Sequence, residues 1–316
     1  MACVATDSPL RAGRPGSVAR LLVIAVMVVV VAGCTATPAE RGSAAGEIAR
    51  KGGLAKSSLR SEGFVLTAWS RITDPEAQTH VYVEGDGYAW VTTTDPSSDP
   101  TPINPLALRL AAVDNAPNVL YLARPCQFRP AGTRDSCEVS FWTSRRFAEV
   151  VVAALDGVID RVLPPAPPPP SPQDPPTRRR LTLIGYSGGG GIAVLLAARR
   201  TDVAAVVSVA GNIAHGAWTS HHGISPLRGS LDPVDSAGRL ASVPQLHLVG
   251  TNDRIMPRLV ADSFVRRSPP GNCIRVVSIG DASHDEGWLE NWPALLDRVP
   301  DCPRVGGPTA SPESAR

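Results

Sequence analysis

Leu181-Thr182-Leu183-Ile184-Gly185-Tyr186-Ser187-Gly188-Gly189-Gly190-Gly191 is the stretch that decides the fold. Its first four residues are an apolar, strand-forming run, and Ile192-Ala193-Val194-Leu195-Leu196-Ala197-Ala198 behind it is helix-forming. Between them lies G-x-S-x-G, from Gly185 to Gly189, which carries little weight alone in a chain with 28 glycines. The strand–turn–helix setting supplies the specificity. A turn this tight leaves no room for side chains beside the serine, so Ser187 is lifted out at the carboxyl edge of a sheet. The amide of Gly188 then opens a helix, where it faces developing negative charge. A phosphate-binding loop is the competing reading. It would need Gly-Lys-Ser/Thr after the glycines, and a dinucleotide loop would need to open the domain and be followed by a well-placed acid.

Working outward, short β-rich runs occupy Phe64 to Ile72, Thr79 to Glu84, Val119 to Ala123, Leu181 to Tyr186, Ala205 to Ala210, Gln245 to Gly250 and Ile274 to Ile279. Several lack polar alternation, as strands covered on both faces do. Phe147, Val150, Val151, Ala154, Leu155, Val158, Ile159 and Val162 recur at spacings of three and four, which predicts a helix with one apolar stripe. Further helices are expected over Asn104 to Asp114, Gly189 to Arg200, Pro257 to Arg267 and Glu286 to Arg298. Strands alternating with helices of this length predict an α/β fold, a mostly parallel sheet flanked by helices.

A serine hydroxyl is a poor nucleophile near neutral pH and needs a base, itself held by a third group. Asp253 follows the run Gln245 to Val249, and His284 follows Ile274 to Ile279. Both therefore fall just beyond carboxyl ends of strands, on the same sheet edge as Ser187, and in the order Ser, Asp, His. Taken singly, His284 is as well read as a surface-loop histidine and Asp253 as a turn-former; their joint placement with Ser187 favours catalysis. The second amide facing an oxyanion is expected from Glu84-Gly85-Asp86-Gly87, with Asp86 first and Gly87 second. A simple turn is the bland alternative there, and nothing in the sequence decides whether Glu84 orients the loop through hydrogen bonds.

The remaining segments speak to location. Arg11, Arg14 and Arg20 precede an apolar run from Leu21 to Val31, and Val31-Ala32-Gly33-Cys34 gives a small-residue cleavage context. The run is too short for the ~20 residues of a membrane span. Residues 1–34 read as an export signal resembling a lipobox, with Cys34 as the lipidation site. Residues 35–62 read as a flexible tether, 63–302 as the domain, 164–176 as a proline-rich insert and 303–316 as a disordered tail. The other cysteines outside the leader are Cys126, Cys137, Cys273 and Cys302. Three pairings are open to them, and proximity favours Cys126–Cys137 and Cys273–Cys302 in an oxidising compartment. Basic and acidic residues number 31 and 29, a balance that leaves no electrostatic footprint for nucleic acid. No metal-ligand spacing is present, and no cofactor is expected.

The Gly-Tyr-Ser-Gly-Gly turn, late Asp253 and later His284 resemble the α/β-hydrolase superfamily. Glu84-Gly85-Asp86-Gly87, Tyr121-Leu122-Ala123-Arg124-Pro125-Cys126 and Ala210-Gly211-Asn212 with His215 and Trp218 are similar to a group of bacterial lipoprotein hydrolases of undefined substrate. The resemblance implies the α/β-hydrolase fold and an exported, membrane-anchored serine hydrolase of the cell envelope, carboxylesterase-like, acting on a small-molecule ester or lipid-like substrate. Serine peptidase, acyltransferase and a non-catalytic envelope binding protein are the alternatives. Residues 212–238 are expected to form a lid or pocket wall, with Trp218 and His221 as substrate contacts.

Overall fold

The computed structural model describes residues 36–163, 171 and 180–302. The export signal with Cys34, nearly all of the proline-rich insert and the tail 303–316 lie outside the described residues. Along the chain run helix α1 (Pro38–Lys51), strands β1 (Ala55–Ser61), β2 (Phe64–Ile72) and β3 (Thr79–Val83), helix α2 (Leu106–Val113), strand β4 (Asn118–Leu122) and helix α3 (Glu149–Val162). They continue as β5 (Leu181–Tyr186), α4 (Gly188–Ala197), β6 (Val203–Val209), α5 (His215–His222), β7 (Gln245–Gly250), α6 (Leu259–Arg267), β8 (Ile274–Ile279) and α7 (Trp292–Leu296).

These strands form one eight-stranded sheet in the order β1-β2-β4-β3-β5-β6-β7-β8. β2 runs antiparallel to β1 and β4, and every pairing from β4 through β8 is parallel. Apolar runs became interior strands because both faces are covered: β4 and β7 are buried along their whole lengths. Helix α3 buries Val151, Ala154, Leu155, Val158 and Ile159 of the stripe its spacing predicts, together with Val152, while Val150 and Val162 stay half-buried. Cys126 pairs with Cys137 and Cys273 with Cys302, with Cα separations of 5.6 and 5.9 Å.

Topology puts the chemistry in place. From β3 the chain crosses through α2 to β4 on one side, then through α3 back to β5 on the other. The carboxyl ends of β3 and β5 therefore sit side by side where the winding reverses, and Val83 pairs with Gly185. Crevices at such switch points are where open α/β sheets bind ligands.

Two expectations fail. Residues 38–61 are no tether: Pro38–Lys51 is helical and Ala55–Ser61 is the sheet's edge strand. The helix buries only small side chains, Ala45 and Ala49, and the stem of Arg41, whose guanidinium bonds the Thr101 carbonyl. The strand Ala-Lys-Ser-Ser-Leu-Arg-Ser is polar because its outer flank is solvated. Neither carries the apolar periodicity on which recognition from sequence depends. The helix expected over Glu286 to Arg298 contracts to Trp292–Leu296, because Gly287 adopts φ 86° and the buried Trp288 is held by irregular backbone.

Candidate active site

The turn after β5 is built by exclusion. A Cβ on Gly185 would overlap the carbonyl of Gly189, and one on Gly189 would overlap the carbonyl of Val83 on the neighbouring strand. Ser187 itself sits at φ 51°, ψ −121°, a conformation costing a non-glycine residue about 1–3 kcal/mol. The surroundings impose it: the Ser187 amide donates to the Val209 carbonyl, and its own carbonyl accepts from Gly190 and Asn212.

The three side chains drawn from separate loops meet. Ser187 Oγ lies 3.0 Å from His284 Nε2, and His284 Nδ1 lies 2.9 Å from Asp253 Oδ2. The other oxygen of Asp253, Oδ1, accepts from the amides of Ile255 and Met256, both at 2.8 Å. Its carboxylate is wholly buried while the imidazole keeps slight exposure. A fixed acceptor on Nδ1 leaves Nε2 free to take the serine proton, the arrangement general-base activation requires. A second serine–histidine pair, Ser208 Oγ with His247 Nδ1 at 2.8 Å, is sealed inside the sheet, where burial pushes the imidazole down to about 3. No substrate reaches it.

Gly188 and Asp86, the expected oxyanion donors, stand together: a Cβ on Gly188 would meet the Asp86 carboxylate. Among the described residues neither amide has a hydrogen-bond acceptor. The Asp86 side chain is clamped by Arg146 and Arg124. Burial pushes its carboxyl up, but the two guanidinium charges outweigh that and hold it below its ordinary value. The clamp fixes the loop that presents the Asp86 amide.

Glu84 orients the same loop from beneath. Its carboxylate accepts from the Gly85 amide at 2.9 Å and the Tyr121 hydroxyl at 3.0 Å, and the amides of Ala107 and Leu108 at the start of α2 also donate to it. Complete burial outweighs these bonds and pushes it up to about 7. The folded chain thus holds this proton more tightly than the unfolded one, so stability declines as pH rises from about 4.5 to about 7. Glu84→Gln cannot ionise and escapes the decline. Its stability relative to wild type should rise by ~2–3 kcal/mol between pH 5 and pH 8 in urea unfolding; a pH-independent difference would show that the carboxyl is not so held.

Of the two residues expected to contact substrate, one lines the cleft. Trp218 lines the cleft that opens over Ser187, and its indole N–H donates to the Ile255 carbonyl at 2.8 Å. His221, three residues on in α5, turns away: its side chain is exposed, its ring packs against His222, and it does not line the cleft. The two lie three residues apart, nearly one turn of helix, yet only Trp218 reaches the cleft. Asn212 went unassigned in the sequence. It is buried beside Ser187, lines the cleft, and its side-chain oxygen has no partner among the described residues. Its position directly beyond β6, at the same sheet edge, was the available signal. No group of three or more His, Cys, Asp or Glu among the described residues is arranged to hold a metal ion.

No protein-family model and no curated protein matches the sequence. Solved structures do match. The esterase Pf2001 of Pyrococcus furiosus aligns at 13% identity over 78% of this chain and 90% of its own, with a TM-score of 0.51. A membrane phospholipase A described as a bacterial virulence factor aligns at 14% identity over 88% and 98%, with a TM-score of 0.52. At these identities the likeness establishes the fold and nothing finer.

Proposed function

From the α/β-hydrolase fold of this chain, we propose that it is a serine hydrolase of the carboxylesterase type. Ser187 attacks the ester carbonyl as His284 takes its proton, and the alcohol departs with that proton. Water, activated by the same imidazole, then resolves the acyl-enzyme. Asp253 fixes the tautomer, and the amides of Asp86 and Gly188 receive the oxyanion. The observation that carries this reading is the unbroken relay from Ser187 Oγ through His284 to a buried carboxylate. A product screen tests it: p-nitrophenyl butyrate, a matched anilide and an added alcohol acceptor. Hydrolysis of the ester ahead of both competitors is expected; preferred anilide cleavage would indicate a peptidase, and preferred alcohol capture an acyltransferase.

We further propose that the protein is exported and held at the membrane by lipid on Cys34. The basic, apolar and small-residue order of residues 11–34 supports this, as do two disulfides formed by the four cysteines of the domain. Among the described residues no helix is long and apolar enough to cross a membrane. Cys34→Ala is expected to move the protein from the detergent phase to the aqueous phase on cloud-point partitioning; unchanged partitioning would reject the anchor.

A further inference from the structure

Eight large hydrophobic side chains among the described residues are markedly exposed: Trp90, Val91, Ile103, Val113, Val139, Ile224, Leu231 and Ile255. Single exposed apolar residues are ordinary on a protein surface, but contiguous ones mark binding sites. Four of the eight line one cleft, the one that holds Ser187 and His284. Trp90 and Ile103 come from the loop beyond β3, Ile224 from the segment after α5, and Ile255 from the loop beyond β7. Their exposures are 40%, 56%, 46% and 52%. Trp218, Leu227 and Met256 line the same cleft, so apolar side chains from separate loops and α5 face one space together with Ser187.

The exposure at Ile255 is built in. Its amide donates to Asp253, and its carbonyl accepts from the indole of Trp218 at 2.8 Å and from His222 Nε2 at 2.9 Å. Pinned at both ends of its backbone, the residue cannot retract its side chain into the core, although the core lies one position on at Met256, which is 3% exposed. The cleft occupies about 1250 Å³, above the ~300–1,000 Å³ of ordinary small-molecule sites. An acetyl or butyryl group would leave most of this apolar lining in water. A long hydrocarbon chain would cover it.

Resting on the hydrolase reading above, we propose that the substrate is an ester of a long acyl chain, whose hydrocarbon lies along the wall formed by Met256, Leu227 and Trp218 and reaches Trp90, Ile103, Ile224 and Ile255 at the mouth. Burial of the chain supplies the specificity, because each methylene removed from water contributes to transition-state binding wherever the wall receives it.

The test is a chain-length series of p-nitrophenyl esters, acetate through palmitate, on the full-length protein in a fixed non-ionic detergent. kcat/KM should rise about two- to fourfold per added methylene until the wall is covered. The double variant Ile103→Ser/Ile224→Ser should flatten that rise at least tenfold for laurate relative to acetate, and Trp90→Gln should flatten it as a separate change at the mouth. Val113→Ser and Val139→Ser, exposed but away from the cleft, should keep the wild-type slope. Thermal melting confirms that each variant is folded. Acetate turnover with a flat or falling series overturns the long-chain proposal and leaves the hydrolase reading standing, as does a slope that survives the double variant and Trp90→Gln. No turnover of any ester, with no labelling by a fluorophosphonate, overturns the hydrolase reading itself.

Discussion

Ser187→Ala is expected to reduce ester turnover by about 10⁶-fold, to the level that oxyanion contacts and binding alone sustain. The loss is chemical and not structural. Alanine keeps the Cβ, so the backbone at φ 51° carries the same strain, and the amide and carbonyl bonds to Val209, Gly190 and Asn212 are untouched. What disappears is the one oxygen within reach of His284 Nε2. Stopped-flow assay of p-nitrophenyl butyrate, with the variant's melting temperature measured alongside, checks this. Residual activity within tenfold of wild type at unchanged stability would assign the nucleophile elsewhere.

Asp253→Asn is expected to cost about 10⁴-fold in kcat with little change in folding. The direction follows from local hydrogen bonding. Two backbone amides, of Ile255 and Met256, need an acceptor at Oδ1. An asparagine will turn its carbonyl oxygen toward them and its amide nitrogen toward His284. The imidazole then accepts at Nδ1 and carries its proton on Nε2, the tautomer that cannot take the proton from Ser187. A thiol-free burst assay separates acylation from deacylation, and both should slow, since one imidazole serves both. A loss below tenfold would show that Asp253 does not set the tautomer.

How far the sequence carries depends on which physical signal each element leaves. Phe64–Ile72, Leu181–Tyr186, Gln245–Gly250 and Ile274–Ile279 were legible to the residue, because turn-forming or polar segments delimit apolar runs. The site was legible for the same reason: a residue directly beyond a parallel strand must lie at one sheet edge, which brought Ser187, Asp253 and His284 together before any distance was known. The opposite holds for α1 and β1. An edge strand reading Ala-Lys-Ser-Ser-Leu-Arg-Ser and a helix that packs through alanines bury too little to be distinguished from a linker. Trp218 and His221 lie nearly one helical turn apart, so their spacing does not tell which of them reaches the cleft, and a short helix without an apolar stripe adds no further signal. Asn212 is marked in the chain only by its place beyond β6; its backbone bond to Ser187 and its side-chain oxygen, without a partner among the described residues, leave no pattern there.

Covalent labelling is the sharpest probe of whether His284 activates Ser187 as a nucleophile. Native protein treated with a fluorophosphonate should gain one phosphonyl group, recovered by peptide mass spectrometry on the tryptic fragment that carries Ser187. His284→Ala should lose the rapid labelling while keeping the folded sheet. Labelling on another residue, or a Ser187 that stays unmodified in folded wild-type protein at reagent excess, would contradict the account.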